Sequence, residues 1–180
     1  ENVKKIRLDQ ELLKKDLEIA AKMQGLLIPK ELFSNEFFHA AGLYKPNYLI
    51  GGDYYDVISI NDNKVAFCIA DISGKGVNAA ILMANFQAIL RSILVREFAV
   101  EQAIDILNHK VFEITKGEKF ITLFLGIYNF ESGRLVYANC GHNPIALYSS
   151  DQFEWLEKGT TILGAFESLP FIEVGKLYIK

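Results

Sequence analysis

The 180-residue chain carries 51% hydrophobic residues and a formal net charge of −3, which supports one domain with a substantial core and excludes a disordered chain. The charge balance excludes a general nucleic-acid binder, which would carry a basic patch. No apolar run approaches the length of a membrane span, and no signal-peptide pattern opens the chain. The sequence begins at Glu1 rather than Met, so a piece of something longer is expected.

Residues 3–28 predict one long helix, with no Gly before Gly25 and no Pro before Pro29. Ile6, Leu13, Leu17, Ala20, Gln24 and Leu27 form one stripe at helical spacing, and Leu8, Leu12, Ile19, Met23 and Leu26 form a second. Two stripes need two covering surfaces. The helix is either a dimerising coiled-coil segment, with one stripe on its own domain and one on a partner copy, or a plain docking helix buried on both sides. A strand is predicted over Phe37–Tyr44.

The stretch "LIGGDYYDVISINDNKVAFCIADISGKG", Leu49 to Gly76, holds two apolar strands. Asn61-Asp62-Asn63 between them has turn chemistry. A three-residue turn there sets Ile60 opposite Lys64, Ser59 opposite Val65, Val57 opposite Phe67, Tyr55 opposite Ile69 and Asp53 opposite Asp71, all on one face. Like charges facing each other destabilise a sheet, so the aspartate pair requires protonation, separate hydrogen bonds or a cation.

In "VNAAILMANFQAILRSILVREF", Ala79, Ala80, Met83, Phe86, Gln87, Leu90 and Leu94 share one helical face. A second helix fits Val100–Ile114. From Phe120 the period changes to strands: Phe120–Phe130, a turn at Glu131-Ser132-Gly133, then Arg134–Cys140, Ile145–Ser149, Phe153–Lys158 and Phe171–Lys180. This order predicts an α+β fold with mainly antiparallel sheets. Cys68 and Cys140 lie in apolar strand-like runs and read as buried free thiols of a reducing, cytoplasmic compartment.

Most catalytic signatures are absent. There is no G-x-S-x-G elbow. In "DISGKG" the Walker A positions that need Gly and Ser or Thr hold Ile69 and Gly76. His39, His109 and His142 lack zinc-ligand spacing, and neither cysteine has a CxxC partner. Asp53 and Asp71 remain. Carboxylates suit Mg²⁺ or Mn²⁺, and two such ions held close together can activate water for in-line displacement at phosphorus. Gly51 and Gly52 allow close backbone approach before Asp53, while Gly74 and Gly76 form a flexible loop at a helix mouth whose N–H groups favour anions. The alternative is that Asp53 ends a turn and Asp71 caps a loop. Asp56 points to the face opposite Asp53 and reads as structural. Lys75 either attracts a substrate phosphate or is a solvated loop lysine. His142 and Asn143 read as loop-shaping, Thr122 as a strand residue, and Tyr54 and Tyr55 as packing residues.

"IGGDYYDV", "IADISGKGVNAAILMA", "FITLFLGIY" and "NCGHNP", with "LEIAAKMQGLLIP" before them, occur in an order that resembles the bacterial PPM-type phosphatases of the SpoIIE/RsbU kind, relatives of protein phosphatase 2C. The resemblance is spread over nearly the whole chain. It implies an α-β-β-α sandwich of two mainly antiparallel sheets flanked by helices. It divides the chain into a linker or regulatory helix over 1–30 and a phosphatase domain over 31–180. It implies a serine/threonine phosphatase with two Mn²⁺ or Mg²⁺ ions and metal-activated water as nucleophile. Asp53, Asp71 and the Ile72 carbonyl map onto metal-site positions, Gly52 onto the shaping turn, and Ser73, Gly74, Lys75 and Gly76 onto the substrate-side loop. The implied partners are a phosphorylated STAS-domain protein, an upstream sensor or receiver domain, and a second copy in a dimer. The family places further metal aspartates near its C-terminus, one in an Asp-Gly pair. No Asp-Gly pair occurs here, and the last residues read "FIEVGKLYIK". The expectation is therefore an incomplete domain with half a site, weak metal binding, little or no activity and an unpaired sheet edge. A non-catalytic signalling or dimerisation module of the same fold is the alternative.

Overall fold

The computed structural model describes residues 2–46 and 49–179. Its elements are α1 (Asn2–Gly25), β1 (Tyr54–Asn61), β2 (Lys64–Ile72), α2 (Gly76–Leu94), α3 (Val100–Thr115), β3 (Ile121–Asn129), β4 (Arg134–Cys140), β5 (Ile145–Ser149), β6 (Gln152–Leu156), β7 (Gly159–Thr160) and β8 (Gly175–Tyr178). The main sheet runs β1-β2-β3-β4, antiparallel throughout. At the far edge of β4, β7 pairs in parallel with one end and β8 antiparallel with the other. β5 and β6 form a separate antiparallel hairpin. The fold is thus α+β with two sheets and helices, as the sequence predicts.

Alternation along the strands divides the main sheet into two unlike faces. Ala66, Cys68, Ala70 and Ile72 of β2 and Leu123 and Leu125 of β3 point to the helix side. There they meet Ala79, Leu82, Met83, Phe86, Leu90, Ile93 and Leu94 of α2 and Ala103, Ile104, Leu107 and Val111 of α3. Each large side chain sealed there contributes about 1.5–3 kcal/mol relative to exposure. By length and composition, α2 could cross a membrane, with a mean hydropathy of 1.4 over its apolar window. This helix corrects the expectation that no apolar run approaches the length of a membrane span. In the fold, its apolar side is the core. The opposite face carries Phe67, Phe124 and Tyr137, covered by Ile145, Leu147 and Leu156 of the hairpin and by Phe38, whose ring lies 6.3 Å from that of Phe67.

The hairpin register matches expectation from Ser59↔Val65 inward, with Val57↔Phe67 and Tyr55↔Ile69. Its turn does not. Asn61, not Ile60, pairs Lys64, and the register shifts between Ser59 and Asn61. The turn is therefore Asp62-Asn63, closed by the Asn63 N–H donating to Asn61 Oδ1 at 3.0 Å. A turn one residue shorter and a bulge that adds one residue cancel, so the outer register survives.

Other boundaries move for physical reasons. The predicted strand Phe37–Tyr44 has no regular structure, because no neighbouring strand among the described residues offers it a ladder. The predicted Phe171–Lys180 strand shrinks to β8, whose length is set by its pairing with Arg134–Tyr137. Lys180 lies outside the described residues. The short β7 carries no periodic signal, and the sequence reading missed it. The first helix ends at Gly25, and residues 26–27 form a turn.

The two stripes of α1 meet different fates. Leu17, Ala20 and Leu27 are partly buried, and Gln24 is buried. Leu8, Leu12, Ile19, Met23 and Leu26 are all exposed, as are Ile6 and Leu13 of the first stripe. Gln24 fastens the helix end to the Gly51 turn. Its Nε2 donates to the Gly51 carbonyl at 2.6 Å, and its Oε1 accepts the Gly51 N–H at 3.1 Å.

Candidate functional site

The site is a row across one end of the main sheet, on the face away from α2 and α3. Asp71 sits opposite Thr122 in the β2–β3 ladder. Asp53 lies one residue before β1, where the β1–β2 register continued outward sets it opposite Asp71. The register sets the two carboxyl groups face to face, near enough for Asp71 to raise the Asp53 pKa. Partial desolvation, and then the facing Asp71, hold the Asp53 carboxyl above the ordinary carboxylate range, while His142 opposes both. Both aspartates are exposed at the sheet end, so solvent tempers the repulsion.

Gly52 explains how the first aspartate gets there. A Cβ on Gly52 would stand 2.7 Å from the carbonyl oxygen of Ile72 and 3.3 Å from the Ala79 side chain. Only glycine lets the chain pass this close to the Ile72 carbonyl, the backbone group that follows Asp71. On the β3 side, Ile121 exchanges both backbone hydrogen bonds with Leu163 rather than with β2. Tyr44 adds a further group. Its buried hydroxyl has no hydrogen-bond partner among the described residues, and it stands 2.9 Å from where a Cβ on Gly51 would be. Desolvation, helped by the negative charge of Asp53, raises its pKa. A buried hydroxyl left unmatched costs about 1–3 kcal/mol, and a hydrated cation held by Asp53 would match it. Oxygen donors of this kind fit Mg²⁺ or Mn²⁺. No group of three or more His, Cys, Asp or Glu arranged to hold a metal occurs among the described residues, so the donor set here is partial.

The loop after Asp71 is sewn to β3 through Ser73. Its N–H donates to the Phe120 carbonyl, and its Oγ accepts the Phe120 N–H, each at 2.9 Å. Gly74 and Gly76 adopt φ of +103° and +69°. Lys75 stands extended at the start of α2, its side chain exposed and making no capping bond. Lys119 approaches Gly74, its Nζ 3.5 Å from where a Cβ would be.

His142 and Thr122, which the sequence reading treated as local structure, come together at the same row. Thr122 Oγ1 lies 2.8 Å from His142 Nδ1. Burial lowers the imidazole pKa, and the charges of Asp71 and Asp53 work against that. The pair is 20 residues apart in sequence, and only sheet order signals its meeting. Asp56 lies on the other face, as expected. It is buried, receives Arg91 Nε at 2.7 Å and a second guanidinium nitrogen at 3.0 Å, and also accepts from the Tyr54 hydroxyl. Cys68 and Cys140 are buried free thiols, and desolvation pushes Cys140 up to about 12.

Comparison with known proteins gives this geometry its setting. The family model for Stage II sporulation protein E (SpoIIE) matches residues 61–177, a span that contains Asp71 and His142 and begins after Asp53. Phosphoserine phosphatase RsbU of Bacillus subtilis (strain 168) is 29% identical over 157 residues, covering 86% of this chain and 47% of RsbU. The chain thus spans about half the length of that relative. The SiaA-PP2C domain of Pseudomonas aeruginosa shares the fold with a TM-score of 0.69 at 18% identity, covering 96% of this chain and 69% of that one. RsbX in complex with magnesium shares it with a TM-score of 0.62 at 19% identity, covering 77% of this chain and 65% of that one. With the family match extending over more than half of the sequence, the chain belongs to the SpoIIE family.

Proposed function

We propose that this chain is the phosphatase domain of a metal-dependent protein serine/threonine phosphatase, with residues 1–30 as its regulatory helix and 31–180 as the domain. The observation that carries the reading is the register that sets Asp53 opposite Asp71 at the sheet end, with Gly52 packed against the Ile72 carbonyl beside them. Deprotonated Asp53 and Asp71, with that carbonyl, would hold Mg²⁺ or Mn²⁺, two ions when the domain is complete. Bound there, a divalent cation supplies charge stabilisation for phosphoryl oxygens and a more acidic water. Gly52 lets the chain pass close to that carbonyl. Ser73 fixes the loop through Gly74 and Gly76, while Lys75 and the N–H groups opening α2 favour an approaching phosphate. RsbU, a phosphoserine phosphatase by name, and the magnesium complex of RsbX support the chemistry.

The substrate we infer is a phosphorylated STAS-domain protein in the cytoplasm. The exposed second stripe of α1 supports a second copy of the chain as its cover, and its Gln24 tie to Gly51 supports a relay from an upstream sensor or receiver domain. A second reading, a non-catalytic signalling or dimerisation module, is favoured by the partial donor set among the described residues.

The test is phosphate release from a phosphoserine STAS-domain protein with Mn²⁺ and then with chelator. It compares this chain with the longer gene product of which we propose it is a part. The expected outcome is turnover in the longer protein, abolished by chelator and by Asp53→Asn or Asp71→Asn with circular dichroism unchanged, and little or none in the chain alone. Normal turnover in either variant overturns the site assignment. Absence of turnover in the longer protein, on an aryl phosphate as well, favours the module.

A further inference from the structure

The row Asp53, Asp71, Thr122 has a fourth position. Continuing the β3–β4 register one step beyond Leu123↔Cys140 brings Gly141 opposite Thr122. Gly141 adopts φ +65°, and a Cβ there would lie 2.6 Å from the Ile162 side chain. The chain therefore turns sharply at this point, and the next residue, His142, takes the place beside Thr122. Its backbone is held as firmly as its ring. Buried Asn139 accepts the His142 N–H through Oδ1 at 2.8 Å and donates from Nδ2 to the Asn143 carbonyl at 3.4 Å. Thr122 engages Nδ1.

A turn after β4 needs Gly141 and Asn139. It does not need an imidazole fixed to the neighbouring strand beside two carboxylates. Of the two directions open to this contact, the one in which the Thr122 hydroxyl donates to Nδ1 leaves the proton of the neutral ring on Nε2. Nε2 makes no hydrogen bond among the described residues, and His142 senses the charge of both aspartates. An approaching phosphate brings negative charge to a corner already lined by carboxylates, so a fixed N–H donor at its flank has an evident use.

We propose that His142 is a phosphate-contacting residue of this site. Its Nε2–H donates to a non-bridging oxygen of the phosphoryl group, and Thr122 is the positioning residue that sets the ring and its tautomer. The inference rests on the phosphatase reading above and adds a residue to that site.

The probe is inorganic phosphate, titrated calorimetrically into the chain at saturating Mg²⁺, with Mg²⁺ affinity measured separately for each variant. His142→Ala weakens phosphate binding roughly tenfold, the loss of one charge-assisted hydrogen bond, and leaves Mg²⁺ affinity unchanged. His142→Gln, whose amide can reach the Nε2 position, recovers part of it. In the unsubstituted chain, ¹⁵N spectra report the Nε2–H tautomer, and phosphate shifts that resonance. Thr122→Val shifts the tautomer balance towards Nδ1–H. Phosphate affinity unaltered in His142→Ala, or an Nε2 resonance that ignores phosphate, overturns the inference and leaves the phosphatase reading standing. A chain that takes up no Mg²⁺ at all overturns the inference for this chain, and the turnover assay on the longer protein judges the phosphatase reading separately. The spectra of the unsubstituted chain decide the matter even where a variant fails to fold.

Discussion

The two faces of the main sheet are built from the same four strands and behave as different materials. The helix-side face is closed. Its aliphatic residues interlock with α2 and α3, and its single acid on β1, Asp56, is matched by Arg91 and Tyr54. The other face is aromatic, covered by the β5–β6 hairpin and the segment around Phe38, with Ile69 still 41% exposed. At its end two like charges face each other with no cation from the protein paired to either among the described residues. Asp53 and Asp56 are three residues apart, yet alternation sends one to repulsion and the other to a satisfied buried pair. One face pays for stability; the other keeps its unbalanced charges available for a ligand.

Three substitutions break or sharpen this contrast. The largest effect is expected from Arg91→Ala, which leaves the Asp56 carboxylate buried without its cation. Stability measured by urea unfolding should fall by about 3 kcal/mol, and a loss near zero would mean that the helix-side network is dispensable. Next comes Gly52→Ala, which drives a methyl group onto the Ile72 carbonyl. A cost of about 1–3 kcal/mol is expected from the forced backbone shift, together with a loss of divalent-ion affinity seen by calorimetry. Unchanged affinity would detach that carbonyl from the site. The smallest effect is that of Asp53→Asn on chelator-treated protein. The Asp53 carboxyl is held above its unfolded value, so its contribution to stability is fully present below the unfolded pKa and is lost as pH rises through the folded one. The Asn variant should therefore melt slightly higher than the parent at neutral pH, by less than about 1 kcal/mol at this exposed position. The gap should close as pH falls through the carboxylate range. A gap that widens in acid would contradict the repulsive pairing.

Much of the architecture was legible in the sequence because it depends on local pattern. The 3.6-residue period of Ala79, Met83, Phe86 and Leu90 identified α2, and the alternation from Arg134 to Cys140 marked β4 residue for residue. The opposition of Asp53 and Asp71 was readable from the turn between their strands, even though the turn itself is shorter and a bulge makes up the difference. The placement of Asp56 on the far face followed from the same period of two.

What local pattern could not supply was anything requiring a partner from elsewhere in the chain. Phe37–Tyr44 has strand composition, but a strand exists only when a neighbour pairs with its backbone, and none does among the described residues. β7 is two residues long and exists through its pairing with Asn139 and Cys140. Thr122 and His142 carried no signal of their joint role, because their contact depends on which strands are neighbours and on the turn at Gly141. By itself, the sequence determined the helices, the long strands of the main sheet and the face on which each aspartate lies, since steric alternation acts between adjacent residues. The tertiary structure alone decided which distant side chains meet at the sheet end, since hydrogen-bonded strand order is a contest among all segments of the chain.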